Sequence, residues 1–195
     1  MARRRDLHGQ QERLSAATWA VLAEQGLPGL TLRAVAERAG CTTGMVLHAF
    51  ADKRALLVHA REVLHDRTGV RADAAASTAG TPLDALRAVL LQAASTSAEK
   101  REEARVWIGF LAAALADPAL AELHQRYNRS FVDRIGRLVA AVRPDWGRAA
   151  CATAATTLVA LVEGLNALAA VDPDTYGEPA QRSAIEAALA RLNAG

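Results

Sequence analysis

The run from Cys41 to Phe50 sets Thr43, Met45, Leu47 and His48 around two apolar residues, Val46 and Phe50. If Val46 and Phe50 turn inward beside Val35 and Leu32, helical geometry at about 100° per residue turns the other four outward. That outer face is small, mostly uncharged and free of carboxylates. A helix of this kind can enter the major groove of DNA closely. The Thr43 hydroxyl can meet a base edge and its methyl a thymine methyl, Met45 offers apolar contact to thymine, and His48 can donate to a guanine or a phosphate. Lys53 and the first-turn amides of the next helix would meet backbone phosphate from outside. Arg3, Arg4 and Arg5 form either an arm that follows the minor groove or backbone, or a disordered solubilising end.

The elements needed to hold such a helix are legible around it. Leu14, Ala17, Thr18, Val21, Leu22 and Gln25 mark one face of a first helix that stops at Gly26, before a Pro28-Gly29 turn. Thr31 is the predicted N-cap of a short second helix, Leu32 to Ala39, whose inward residues are Leu32, Val35, Ala36 and Ala39. Gly40 ends it as a residue able to adopt positive φ. Thr42 caps the third helix, running to about Phe50, and Asp52 caps a long fourth. Three helices in some forty residues, the middle pair joined by a Gly-centred turn, form a helix-turn-helix. Without DNA binding, the same pattern describes a bundle whose short N-terminal helices merely pack.

Composition agrees with helices throughout. Half the chain is apolar, with few aromatics among its 195 residues, and alanine-rich segments favour helix over sheet. Charge is uneven: residues 1–60 carry eight Lys/Arg against five Asp/Glu, a net of +3, and the remainder a net of −1. An anionic partner therefore belongs at the N-terminal end. Cys41 and Cys151 fit no metal or CxxC spacing and read as free thiols in a reducing compartment. The start Met1-Ala2-Arg3-Arg4-Arg5-Asp6 does not resemble a signal peptide, and the expected location is cytoplasmic. The most membrane-like segment, Cys151 to Val171, carries Glu163, Gly164 and Asn166, which suits a buried bundle helix better than a span.

No carboxylate pair, Ser/His/Asp set, phosphate-binding glycine loop or HExxH motif appears, so the sequence predicts no enzyme, cofactor or metal. His59 and His65 near Glu62 and Asp66 have helical spacing, but exposed charge pairing explains it better than a metal. A non-catalytic helical adaptor, and behind it a metal-dependent enzyme, are the alternative readings.

The rest of the chain reads as longer helices. Thr81-Pro82-Leu83-Asp84 is a start signal, with Thr as cap, Pro in the first turn and Asp reciprocating. Helices are expected over 82–97, about 99–116, from Asp117-Pro118 past Val142, over 146–171, and from Pro179 to about Leu192, with a loop around Tyr176-Gly177. The whole is all-α, about nine helices, with no strand. Residues 1–52 form a DNA-binding helix-turn-helix domain and 53–195 a ligand-binding and dimerisation bundle. Trp107, Phe110, His124, Tyr127, Asn128 and Phe131 are the best supply of pocket walls, with Thr157, Glu163 and Asn166 from helix eight. Four of the chain's eight aromatics fall within residues 107–131. Ordinary core packing accounts for each aromatic taken singly. Glu163 can counter a cationic ligand or bond across an interface, so a small aromatic or cationic inducer fits. The small residues of helix eight, Ala150, Ala154, Thr157, Gly164 and Ala167 to Ala170, with Ile185, Ala188, Leu189 and Leu192 of the last helix, suit the four-helix contact of a two-fold dimer.

The N-terminal segment also resembles a known family, the TetR-type bacterial transcriptional repressors. The resemblance is carried by Ala23-Glu24-Gln25-Gly26, Gly29-Leu30-Thr31-Leu32-Arg33, Val35-Ala36-Glu37-Arg38-Ala39-Gly40, Thr43-Gly44-Met45 and Phe50 to Leu57. It implies that Thr42 and Lys53 contact phosphate and that Thr43, Gly44, Met45 and His48 face bases. Leu47 stands where the family usually has Tyr, and Ala49 where it has His, so docking leans more on Lys53 and Thr42. Val106 to Phe110, Asp117 to Leu120, Leu123 to Tyr127 and Leu161 to Leu165 resemble the subset related to the choline-responsive repressor of betaine synthesis, with Glu163 where that subset mostly has Asp. The resemblance implies a dimeric repressor on a palindromic operator, released by a small-molecule inducer.

Overall fold

The computed structural model describes the backbone of residues 2–194 and the side chains of residues 9–194. The side chains of Arg3, Arg4 and Arg5 lie outside the described residues. All regular structure among the described residues is helical: α1 (Ala2–Gly29), α2 (Leu32–Ala39), α3 (Thr43–Ala49), α4 (Lys53–Ser77), α5 (Pro82–Ala93), α6 (Ala98–Ala114), α7 (Pro118–Val142), α8 (Arg148–Ala169), α9 (Pro173–Tyr176) and α10 (Glu178–Ala194). The chain divides into two compact units, one of Met1–Leu64 with Arg105–Ala121 and one of His65–Ala104 with Glu122–Gly195. Both α4 and α6 supply residues to each unit.

In the first unit, α1 contributes Leu14, Ala17, Thr18, Val21 and Leu22 to the core, while Gln25, expected on that face, is exposed. Just beyond it Gly26, with a φ of 66°, kinks α1, and Leu27-Pro28-Gly29 form its last helical stretch past the kink. Thr18 is tolerated in the core because its hydroxyl donates to the Leu14 carbonyl at 2.8 Å. Leu30, Val35, Ala36, Val46, Leu56 and Leu57 complete the packing between the short helices, and Val106 and Phe110 of α6 join them.

The second unit has a continuous apolar core. Leu86, Val89 and Leu90 of α5, Ile135 and Val139 of α7, Ala155, Leu158 and Val162 of α8, and Ile185 and Leu189 of α10 form it. Small residues let two of these helices approach, since a Cβ built on Gly136 would lie 3.8 Å from Ala155 Cβ. At α5 the cap is Thr81, whose hydroxyl accepts from the Asp84 amide at 3.1 Å. The Asp84 carboxylate accepts from the Thr81 hydroxyl at 2.7 Å and from Arg87 at 2.5 Å. Where a loop was expected near Tyr176, Asp172 caps the short α9 through the Thr175 amide at 3.0 Å.

Candidate nucleic-acid interface

The turn between α2 and α3 is closed by Gly40. Its φ of 64° lies in the left-handed region, and its amide bonds back to α2 carbonyls. Thr42 then starts α3 by accepting the Met45 amide at 3.3 Å. Val46 is fully buried and Phe50 nearly so, which turns Thr43, Gly44, Met45, Leu47, His48 and Ala49 out to solvent. Met45 is 38% exposed and Leu47 49%. No acidic residue stands on α3. Below it, the Phe50 ring packs against His59 of α4 at 5.1 Å between centroids. Burial holds the His59 imidazole below its ordinary pKa, with the nearby Glu62 carboxylate acting in the opposite sense.

The cations around α3 differ in what they already hold. Arg38 makes a two-pronged pair with Glu24 of α1 at 2.8 and 2.6 Å, and this pairing is what holds the Glu24 carboxyl below its usual range. Arg54 pairs with Asp117 at 2.8 Å. The Lys53 ammonium donates to the Leu27 carbonyl at 2.6 Å, so this residue ties α4 to the end of α1. Arg33, exposed in the first turn of α2, makes no ion pair or side-chain hydrogen bond among the described residues. Sequence reasoning passed over it, because the carboxylates that occupy its neighbours come from α1 and from the start of α7.

The residues expected to line a pocket fall in both units. In the first, Trp107 is half-buried, and Phe110 is buried with the Arg61 guanidinium 5.9 Å from its ring centroid. In the second, Tyr127 stacks on His65 with centroids 4.1 Å apart, and Arg126 lies over the same ring at 5.3 Å. His124, Asn128 and Glu163 are half-buried, and Phe131 packs on the apolar core. Asn166 is buried with both ends of its amide bound to backbone, accepting from the Ser95 amide at 2.7 Å and donating to the Ala93 carbonyl at 2.9 Å. Gln181 of α10 continues that network by donating to the Ser95 hydroxyl and the Tyr176 carbonyl. Thr157 is exposed on α8, its hydroxyl spent on the Thr153 carbonyl at 3.0 Å. No group of three or more metal-ligating side chains occurs among the described residues.

Residues 14–60 match the family described as bacterial regulatory proteins, tetR family, and residues 82–194 match the BetI-type transcriptional repressor C-terminal domain. The chain belongs to the TetR family. Among curated TetR-family relatives, the HTH-type transcriptional regulator BetI of Burkholderia mallei is 33% identical over 150 residues, covering 76% of this chain and 75% of that protein. A transcriptional regulator from Rhodococcus sp. Rha1 shares the structure with a TM-score of 0.84 at 29% identity, over 93% of this chain and 95% of that one. A regulator from Saccharomonospora viridis, solved in complex with choline, has a TM-score of 0.83 at 16% identity over 91% and 93% of the two chains, and so shares the fold. Membership makes this chain a ligand-responsive, dimeric repressor of the bacterial cytoplasm, a non-catalytic protein that releases its operator when an inducer binds.

Proposed function

We propose that α3 docks in the major groove, with Thr43, Gly44, Met45, Leu47 and His48 toward the bases and Thr42 and Lys53 toward phosphate. The supporting observation is the contrast along α3, where a fully buried Val46 sits among exposed neighbours that include no carboxylate. Residues 1–52 carry the DNA contacts together with Lys53 at the boundary; the rest of residues 53–195 carry the inducer and the dimer contact. Two copies meet through α8 and α10, so that two recognition helices stand roughly 34 to 36 Å apart and read the halves of a palindrome. The outer face of α8 supports that contact, its exposed residues from Ala149 to Gly164 all being alanine, threonine or glycine.

The inducer is a small aromatic or cationic molecule held by the C-terminal bundle, with Tyr127, Asn128 and Phe131 of α7 among its contacts. The Tyr127 ring already has His65 stacked on it and the Arg126 guanidinium over it, so any ligand that stacks on this ring, aromatic or cationic, has to displace one of them. The inducer acts by linkage, favouring a bundle conformation in which α4 holds the recognition helices at the wrong separation. Selection of bound duplexes from a random pool by the purified protein tests the reading. A palindromic consensus, bound less tightly as salt rises, is the expected result; a folded protein that retains no duplex at low salt overturns it.

A further inference from the structure

Gly44 is a glycine that the fold does not require. It lies in ordinary helical conformation, since the positive-φ residues among those described are Gly26 and Gly40 alone. A Cβ built on it would meet only the Thr42 hydroxyl oxygen, at 3.8 Å, which is ordinary contact distance. Alanine would therefore fit, and would suit a helix better than glycine does. Gly44 and His48, four residues apart, share the middle of the face opposite Val46 and Phe50, and Met45 and Leu47 stand on its two flanks. Two of the six exposed large apolar side chains of the described residues thus occur on this seven-residue helix. Neither lysine, arginine nor any carboxylate interrupts them.

Resting on the DNA-binding reading above, we propose that α3 reads thymine by close apolar contact. With no side chain at Gly44 the helix backbone comes down onto the groove floor, and Met45 and Leu47 bear on the 5-methyl groups of thymines to either side. The major groove is where that methyl is displayed, and it marks thymine apart from the other bases. Leu47 then has a base-reading duty that a phosphate-bonding side chain at its position would not have.

The test uses a duplex selected by the wild-type protein from a random pool, and the same duplex with deoxyuridine in place of single thymidines of the half-site. Uracil keeps every pairing group and lacks only the methyl. Affinity is expected to fall about fourfold for each contacted methyl, the equivalent of one buried carbon. Met45→Ala and Leu47→Ala should each bind the thymine and uracil duplexes alike at one position. Gly44→Ala should hold the melting temperature or raise it by up to about 2–4 °C, while binding the selected duplex at least about tenfold more weakly. Equal wild-type affinity for thymine and uracil duplexes overturns the proposal and leaves DNA binding standing. So does a Gly44→Ala protein that binds as the wild type does. Failure to bind any duplex at low salt instead removes the DNA-binding reading beneath it.

Discussion

Four cations stand on α2 and the first two residues of α4, and three of them are engaged by the protein itself. Arg38 is neutralised by Glu24 and Arg54 by Asp117, while Lys53 gives one of its three N–H groups to the uncharged Leu27 carbonyl and keeps its charge for phosphate. A guanidinium that is already neutralised releases few counterions on reaching DNA, whereas an unpaired one contributes nearly a full charge to the salt dependence. Arg33→Ala should therefore weaken binding to all duplexes and make the slope of log affinity against log salt shallower by about one. Arg38→Ala should leave that slope unchanged. Anisotropy titrations between about 50 and 200 mM salt separate the two variants, and equal slopes for Arg33→Ala and wild type would remove Arg33 from the interface. The outward set on α3 was legible from helical period alone, because two apolar residues four apart fix the orientation of those between them. Arg33 was not, since its significance lies in the absence of a partner, and partners such as Glu24 and Asp117 come from distant segments.

At the scale of elements, short helices depend on what closes their ends. The N-caps Thr31, Thr42 and Thr81 were readable because the cap bond is local, and each accepts the amide three residues on. The short α9 was missed, although Asp172-Pro173 carries the same signal, because Tyr176-Gly177 suggested an unstructured turn. What the sequence leaves open is contact between elements, and the packing of His59 on Phe50 is such a case. His59 read as one of a set of exposed charges, yet half of it is buried and burial depresses its pKa below the ordinary value of 6.5. A depressed folded pKa means that the unfolded chain binds the proton more readily. The resulting stability is complete above about pH 6.5 and is lost as pH falls toward the folded value. Thermal melts taken between about pH 7.5 and 5 should show a falling midpoint across that window, and His59→Gln should flatten this part of the profile. A profile identical in the two proteins would show that the imidazole titrates freely in the folded state.

For the whole molecule, the unusual element is α8. It is long and apolar enough to cross a membrane by length and composition, yet only 39% of its most apolar window is buried. The buried stripe, Cys151, Ala155, Leu158, Val159 and Val162, belongs to the core of the second unit. On the other side Thr153, Thr156, Thr157, Ala160, Gly164 and Leu168 face solvent. The three threonine hydroxyls donate to carbonyls four residues back, so none of them needs water or a partner as acceptor. A dimeric repressor has a use for such a face, as flat, small-residue helices can meet a second copy at close range. Ala160→Arg places a charge in the middle of that stripe without touching the core. It should sediment as a monomer with unchanged helicity, and its affinity for the palindromic duplex should fall by about 10²- to 10⁴-fold, because the second half-site no longer binds intramolecularly. Thr157→Ala, which keeps the face small and uncharged, should remain dimeric. An Ala160→Arg protein that still sediments as a dimer would move the interface away from α8, and with it the reason for this helix's composition.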